Sequence, residues 1–164
     1  LQLGGHRDDA LNLARTALQH ARSLDHALSV AHALNYLAGL HQMRSEPDEQ
    51  LRTADEEVAM AIEYGFIHYI HYGRIFAGHA QARLGDRDGI ATMISALADR
   101  SAAGAALARP YQLFLIADGR SALGDERRAV SDLEEANEVG TRTGENWWQP
   151  QITDALAEAS ERNA

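Results

Sequence analysis

The residues best suited to chemistry in this sequence are His68 and His71, which lie three residues apart. On a helix they would fall on adjacent turns of one side, and imidazole nitrogens in that arrangement can chelate a metal ion. A third ligand is not specified, because His79 lies about three helical turns beyond His68. We therefore interpret these histidines as amphipathic side chains that face a polar groove, and we predict no metal site and no cofactor.

No catalytic constellation accompanies the histidines. The absence of cysteine excludes thiolate nucleophiles, disulfides and zinc–thiolate sites. The glycine of Leu123-Gly124-Asp125 ends a helix and lacks the lysine of a phosphate-binding loop. Adjacent carboxylates such as Glu56 and Glu57 would point about 100° apart on a helix, and we interpret them as a solvated surface. We expect the chain not to be an enzyme.

A ladder of aromatic and polar residues is the sharper candidate for a binding site. Its members recur at helical spacing on alternate helices: His32, Asn35, His68, Tyr72, His79, Tyr111, Phe114, Asp118, Trp147 and Gln151. Aromatic rings flanked by polar groups suit recognition of a peptide or a small molecule, because they offer a large area at little cost in rotamer entropy. The plainer interpretation is that Tyr111, Phe114 and Trp147 pack between repeats, and both interpretations stay open at this point. Tyr36 and Trp148 look structural.

The ladder follows a repeat of about forty residues. Asp25, Gly65, Gly104 and Gly144 succeed one another at intervals of 40, 39 and 40 residues, each just after a helical stretch. Because these residues tolerate a left-handed backbone, each is expected to close a helix. The same intervals relate Ala10 to Gln50, Gly89 and Ala129, and Ala38 to Gly78, Ala117 and Ala157. Small side chains at a fixed position allow neighbouring helices to approach closely.

The positions of these helix-ending residues fit eight helices, at about 6–24, 27–43, 47–64, 67–84, 86–103, 106–123, 125–143 and 146–161. Their recurring apolar stripe includes Leu11, Leu51, Ile90 and Val130, and no segment alternates with the period of a strand. A single helix pair cannot bury such a stripe on both sides, so each pair must stack on the next. We predict one all-α domain over residues 1–164, a right-handed superhelix of about four antiparallel helix pairs.

Charge and hydropathy exclude several classes of partner. With 24 acidic and 15 basic residues, the net charge of −9 offers no electrostatic footprint for nucleic acid or for an anionic membrane. No apolar run approaches the ~20 residues that cross a bilayer. The lack of cysteine is compatible with a reducing cytoplasm, where we expect the protein to act. Because the sequence begins with Leu1 rather than Met, we expect it to be a piece of a longer polypeptide.

The stretch from Ala122 to Val130, followed by Leu133 and Ala136, resembles a tetratricopeptide repeat. It combines a small residue, a glycine turn and a helix that opens with an alanine anchor, although the period exceeds the usual ~34 residues. Two segments, Arg109-Pro110-Tyr111 and Thr143-Gly144-Glu145-Asn146-Trp147-Trp148, resemble the C-terminal repeat arrays of large bacterial signal-transduction ATPases. The similarity covers essentially the whole chain.

The resemblance implies a groove lined by the first helix of each pair. It also implies an upstream nucleotide-binding domain, often with an adenylate or guanylate cyclase or a DNA-binding domain. We therefore expect a non-catalytic protein–protein interaction or sensor module of a larger cytoplasmic signalling or transcription regulator. Its partner would be a protein or peptide, or the ATPase or cyclase domain in cis. Two alternatives stay open: a small-molecule effector-binding domain, and a structural array that forms homo-oligomers through its end repeats.

Overall fold

The computed structural model of the chain describes residues 7–162, with side chains described for residues 8–159. The described residues form eight α-helices, one short 3-10 turn at Asn146–Trp148 and no strand. The helices are α1 (Arg7–Ser23), α2 (Ala27–Met43), α3 (Pro47–Tyr64), α4 (Ile67–Arg83), α5 (Asp88–Ala102), α6 (Arg109–Ala122), α7 (Glu126–Thr143) and α8 (Gln149–Arg162). The prediction of an all-α fold is confirmed. His6, the first residue of the first predicted helix, lies outside the described residues.

The backbone confirms the predicted helix ends. It is left-handed at all four residues of the predicted series, Asp25, Gly65, Gly104 and Gly144, with φ between 49° and 75°. A second series is left-handed in the turns that follow α2, α4 and α6, namely Ser45, Gly85 and Gly124. The two series alternate, so each connection between successive helices contains a residue that reverses the chain within a short turn.

Three helices begin two or three residues later than predicted. α5 begins at Asp88 rather than residue 86, α6 at Arg109 rather than residue 106, and α8 at Gln149 rather than residue 146, after the 3-10 turn. The Asp86 side chain accepts a 2.9 Å hydrogen bond from the Asp88 amide, as a residue just before a helix commonly does. Ala108 is left-handed, with φ 64°, and its amide donates a 2.8 Å hydrogen bond to the Glu145 side chain. α6 starts only after this residue, which lengthens the connection between α5 and α6.

The helices pack as a stack of neighbours. Each helix contacts the helices before and after it in the chain, and α2, α4 and α6 also contact one another in that order. This arrangement is that of a helical repeat, in which the even-numbered helices share one layer. The curvature and the hand of the stack stay predictions. Among the described residues, no helix is long and apolar enough to span a membrane.

The small-residue positions bring helices together as predicted. A Cβ atom built on Gly78 would lie 2.5 Å from the carbonyl oxygen of Gly89, so the backbones of α4 and α5 touch at this point. Ala38 and Ala117, at the equivalent positions of α2 and α6, are buried, whereas Ala157 on α8 is exposed. Among the described residues, no helix covers this position of α8 as the neighbouring helices cover it in the earlier repeats.

The most buried row of the odd-numbered helices lies one residue before the predicted one. Leu11 is buried as predicted, but Leu51, Ile90 and Val130 are only half-buried. The preceding positions, Gln50, Gly89 and Ala129, are buried instead. Small residues occupy two of these three positions, because the neighbouring even-numbered helix lies too close for a large apolar side chain.

Candidate functional site

A continuous row of aromatic rings crosses the neighbouring helices α2 and α4. We call it the ring row, and its members in order of contact are Tyr36, His32, Tyr69, His68 and Tyr72. The ring centroids are separated by 4.8, 6.2, 5.4 and 4.8 Å along the row. His32 Nδ1 and the Tyr69 hydroxyl are 2.8 Å apart, a hydrogen bond that joins α2 to α4. Three residues of the predicted ladder, His32, His68 and Tyr72, therefore share one surface.

The ring row is exposed at one end and half-buried at the other. Tyr36 is 62% exposed, and His32 and His68 are exposed as well. Tyr69 and Tyr72 are half-buried. The interpretation of Tyr36 as structural is therefore wrong, since most of its side chain is open to a partner.

Arg100 of α5 closes the buried end of the ring row. It is 1% exposed, and its guanidinium carbon lies 4.0 Å from the centroid of the Tyr72 ring. Its Nη2 donates to the Leu107 carbonyl at 3.2 Å, and its Nη1 lies 3.4 Å from His68 Nδ1. Since a guanidinium only donates, His68 Nδ1 is the acceptor and the imidazole proton is on Nε2. Partial burial, together with the charge of Arg100, lowers the pKa of His68.

A buried carboxyl group of α3 contacts α2 next to the ring row. Glu57 is fully buried, and one of its oxygens accepts a 3.0 Å hydrogen bond from Asn35 Nδ2. Its other oxygen has no hydrogen-bond partner among the described residues. Burial raises the pKa of Glu57 to about 8, so the carboxyl group is mostly protonated at neutral pH. The interpretation of Glu57 as solvated surface is wrong, whereas the adjacent Glu56 forms a surface ion pair with Arg22.

A second group of side chains, the polar cluster, joins α3, α4 and α6 and consists of Gln50, His79, Arg83 and Asp118. His79 Nε2 lies 2.8 Å from Asp118 Oδ2, and Arg83 Nη1 lies 3.5 Å from the same oxygen. Gln50 Nε2 donates to the Phe76 carbonyl oxygen at 2.8 Å and lies 3.1 Å from His79 Nδ1. The adjoining cavity has a volume of about 60 Å³, which suits a water molecule or two rather than a larger ligand.

The charge of the polar cluster is compensated internally. Burial acts to raise the pKa of Asp118, but the hydrogen bond and charge of His79, with the charge of Arg83, outweigh it and leave the pKa lowered. Asp118 is therefore ionised at neutral pH, and it accepts a hydrogen bond from His79 Nε2. On the other side of the ring, His79 Nδ1 lies 3.1 Å from the amide nitrogen of Gln50 and 3.2 Å from its amide oxygen.

Tyr111 lies within the packing between α6 and the 3-10 turn before α8. It is 7% exposed, and its hydroxyl donates a 2.9 Å hydrogen bond to Gln42 Oε1. Its ring stacks on Trp148 with the centroids 4.1 Å apart, and Phe114 lies 6.4 Å from the same indole ring. Burial raises the pKa of Tyr111. These contacts favour packing over direct ligand contact for this residue.

The remaining ladder residues lie apart from these groups. Trp147, the middle residue of the 3-10 turn, is 80% exposed. Gln151 is half-buried, and its side-chain oxygen has no hydrogen-bond partner among the described residues. The predicted ladder is therefore divided between the ring row, the polar cluster and the stack of Tyr111 on Trp148, with Asn35, Trp147 and Gln151 outside these three groups.

Three polar side chains that contact these groups were not predicted: Gln50, Glu57 and Arg100. Each occupies a buried position of an odd-numbered helix where the other repeats carry alanine or glycine. The counterparts are Ala10, Gly89 and Ala129 for Gln50, then Ala17, Ala96 and Ala136 for Glu57, then Ala21, Ala61 and Gly140 for Arg100. A large polar residue in a row of small ones is a signal that the sequence carries. Each of the three reaches an even-numbered helix, where it bonds a ladder residue.

Among the described residues, no group of three or more histidine, aspartate or glutamate side chains is arranged to hold a metal ion. His68 contacts Arg100, and His71 Nδ1 lies 3.9 Å from Asp99 Oδ2. No known protein family matches the sequence, and no curated protein is significantly similar to it.

Proposed function

We propose that this chain is a non-catalytic interaction module of a larger cytoplasmic signalling or transcription regulator, and that it binds a protein or peptide segment across the ring row. The observation that carries the proposal is the unbroken row of rings on α2 and α4, with its exposed end at Tyr36. Aromatic side chains offer a large contact area with few rotatable bonds, which favours them at binding hot spots.

Preorganisation of the rings supports this role. The hydrogen bond between His32 and Tyr69 and the guanidinium of Arg100 over Tyr72 hold the rings before a partner arrives. A surface that is already ordered loses less conformational entropy on binding. Because His68 keeps its proton on Nε2, that atom is a donor for a carbonyl or carboxylate oxygen of the bound segment.

The bound segment would act by shifting an equilibrium in the parent regulator. The regulator is taken to have two conformational states. Binding of the segment to the module shifts the balance between them only if the segment binds the module more tightly in one state than in the other. The segment belongs either to a separate protein or to the ATPase or cyclase domain of the same polypeptide. In the second case, the module restrains that domain until a signal releases it.

Photo-cross-linking in the full-length regulator tests the proposal. A benzophenone amino acid replaces Tyr36 or His68 in the ring row, and Ile62 on α3, which is 56% exposed, is the matched control position. We expect one discrete cross-linked partner from the ring-row positions and none from Ile62. Unaltered regulatory output from a folded Tyr36→Ala/His68→Ala double variant would overturn the proposal.

A cleft between α5, α6 and α7 supports a second candidate function, binding of a small-molecule effector. Its volume is about 810 Å³, within the usual range of ligand pockets. Its apolar walls include Leu113 and Ile116, and Arg120 Nε lies 3.2 Å from Asp132 Oδ2 within it. Burial raises the pKa of Asp132 to about 6, although the positive charge of Arg120 acts to lower it. A carboxyl group in a cleft whose pKa is shifted in this way marks a candidate ligand site.

A variant that fills this cleft distinguishes effector binding in the cleft from segment binding on the ring row. Ala98 is exposed and lines the cleft, so Ala98→Phe occupies part of it without disturbing the core. A thermal-shift screen with amphipathic metabolites is expected to give ligands that stabilise the unmodified protein but not Ala98→Phe. If no ligand is found, or if the ligands stabilise both proteins equally, the cleft is not an effector site. That result would not affect the proposal for the ring row.

A further inference from the structure

The cleft between α5, α6 and α7 lies within the array, because each of these helices contacts the helix before it and the helix after it in the chain. α5 supplies one wall through Leu97 and Ala98, and α7 supplies the other through Asp132 and Glu135. Four residues at helical spacing on α6 form the floor: Arg109, Leu113, Ile116 and Arg120. The cleft therefore combines an apolar middle with charged side chains along its α7 side.

The repeat register explains why α5 and α6 leave this space between them. In the preceding pair of helices, a Cβ atom built on Gly73 of α4 would lie 2.7 Å from Val58 Cγ2 of α3, so those two helices are in close contact. A shift of 39 residues turns Gly73 into Gln112, which is buried. A side chain of this size keeps neighbouring helices apart. α5 accordingly makes much less contact with α6 than α3 makes with α4.

Two ion pairs between α6 and α7 line the cleft. Arg109 Nη2 donates to Glu135 Oε1 at 2.7 Å, and its Nη1 donates to Ser101 Oγ at 3.1 Å. Arg120 Nε lies 3.2 Å from Asp132 Oδ2. Each guanidinium group therefore already faces a carboxylate, and an anionic ligand would have to displace that carboxylate in order to bind.

Asp132 keeps hydrogen-bonding capacity that the described residues do not use. Its Oδ2 atom is buried and has no hydrogen-bond partner among them, since Arg120 lies at ion-pair distance without the alignment of a hydrogen bond. Burial, together with the negative charges of Glu135 and Asp125, raises the pKa of Asp132 to about 6 against the charge of Arg120. Leaving a buried acceptor without a donor costs free energy. The partner that Asp132 lacks is therefore a positively charged donor.

We propose that the cleft binds a small amphipathic amine, whose protonated nitrogen bonds Asp132 and Glu135 and whose apolar part packs on the floor of the cleft. An ammonium group carries three donors, which suffice for two carboxylates one helical turn apart on α7. The net charge of −9 adds a long-range attraction for cations. This inference rests on the second candidate function, effector binding in the cleft, and names the class of ligand.

A panel of matched probes tests the choice of ligand class. Each apolar group in the panel is used in three forms, which end in an amine, a carboxylate or a hydroxyl group. For indole these are tryptamine, indole-3-propionate and tryptophol. Isothermal titration calorimetry at neutral pH measures their dissociation constants. We expect the best amine to bind at least tenfold more tightly than its carboxylate and hydroxyl counterparts, and Ala98→Phe, which fills part of the cleft, to abolish its binding.

Two variants test the contact with the amine. Asp132→Asn keeps the shape of the side chain and removes its charge, so the preference for the amine should disappear. Glu134→Gln changes an exposed carboxylate of α7 outside the cleft and should leave the preference unchanged. Arg120→Met removes the cation that competes for Asp132, so it should strengthen binding of the amine and weaken binding of the carboxylate probe. Melting curves of each variant establish that it is folded.

The possible failures can be told apart. If a carboxylate or hydroxyl probe binds in the cleft as tightly as its amine counterpart, or if the preference for the amine survives Asp132→Asn, the ligand is not an amine held by Asp132. The cleft would then still be an effector site. If no probe in the panel shows binding that Ala98→Phe abolishes, this inference and the second candidate function are both wrong.

Discussion

His79 on α4 and Asp118 on α6 are 39 residues apart in sequence and 2.8 Å apart in space. They are equivalent positions of successive repeats, so this hydrogen bond joins one even-numbered helix to the next. Arg83, 3.5 Å from the same carboxylate oxygen, adds a positively charged partner. The polar cluster is therefore a link within the layer of even-numbered helices, and its contribution depends on the charge of Asp118.

Asp118→Asn should lower the free energy of unfolding by about 2 kcal/mol at neutral pH, the scale of a hydrogen bond to a charged group. The pKa of Asp118 is lowered in the folded protein, so its stabilisation is present above the unfolded pKa of about 3.9 and is lost as pH falls through the folded pKa. Urea denaturation between pH 3 and 7 measures this effect. The variant should lose less stability on acidification than the unmodified protein. Asp154→Asn, at an exposed carboxylate, serves as the control.

Glu57→Gln should change the pH dependence of stability in the opposite direction. Burial raises the pKa of Glu57 to about 8, so ionisation disfavours the folded state. The unmodified protein should lose stability as pH rises from the unfolded pKa of about 4.3 toward 8, whereas the glutamine variant should not. Glutamine keeps an oxygen that accepts from Asn35. Chemical denaturation at pH 5 and pH 8 measures this difference in stability, with Glu56→Gln as the control. If Glu56→Gln reduces the loss of stability between the two pH values as much as Glu57→Gln does, the effect does not come from the buried carboxyl group of Glu57.

The repeat register predicted more of this molecule than individual residue types did. Gly65 and Gly144 were placed correctly at left-handed helix ends, because a helix end depends on local backbone chemistry. The partnership of His79 with Asp118 agrees with their equivalence in the predicted ladder. The register also fixes which faces of the helices meet, and Gly78 was assigned to a close helix contact on that ground.

Other features depended on contacts that the sequence does not reveal. Glu57 was taken as surface because adjacent carboxylates usually are, although its register position is occupied by alanine in the other repeats. The environment of Tyr111 depends on Trp148, which lies in a 3-10 turn where a continuous helix was predicted. Tyr36 follows the pattern of a buried position, and it is exposed because no helix covers it among the described residues.

Gly78→Ala and Gly65→Ala should destabilise the protein for different reasons and by different amounts. At Gly78 the new methyl group would meet the Gly89 carbonyl oxygen at 2.5 Å, and a backbone atom cannot move aside cheaply. We expect a loss of about 3 kcal/mol, at the upper end for overpacking. At Gly65 there is open space, so only the left-handed backbone, with φ 71°, is strained, at about 1 kcal/mol. Equal losses in chemical denaturation would contradict the close contact of α4 with α5.

Tyr111→Ala should cost about 3 to 4 kcal/mol of stability, because it removes a buried ring that stacks on Trp148. Tyr111→Phe keeps the ring and loses only the hydroxyl bond to Gln42, so its cost should be about 1 kcal/mol. Quenching of tryptophan fluorescence by acrylamide should increase in the alanine variant and stay unchanged in the phenylalanine variant. An alanine variant with normal stability would mean that Tyr111 belongs to an open surface.

Arg100→Met should raise the pKa of His68, which can be measured by following the imidazole signals in NMR spectra as a function of pH. Partial burial and the charge of Arg100 both lower this pKa, so removing the charge should move it upward without restoring the full ordinary value. The loss of the contact with Tyr72 should also lower the melting temperature, because methionine fills the space but cannot replace the guanidinium over the ring. Arg74→Met removes an exposed charge from the same helix as His68 and should leave the His68 titration unchanged. If both variants shift His68 equally, the effect reflects overall charge rather than the contact at the end of the ring row.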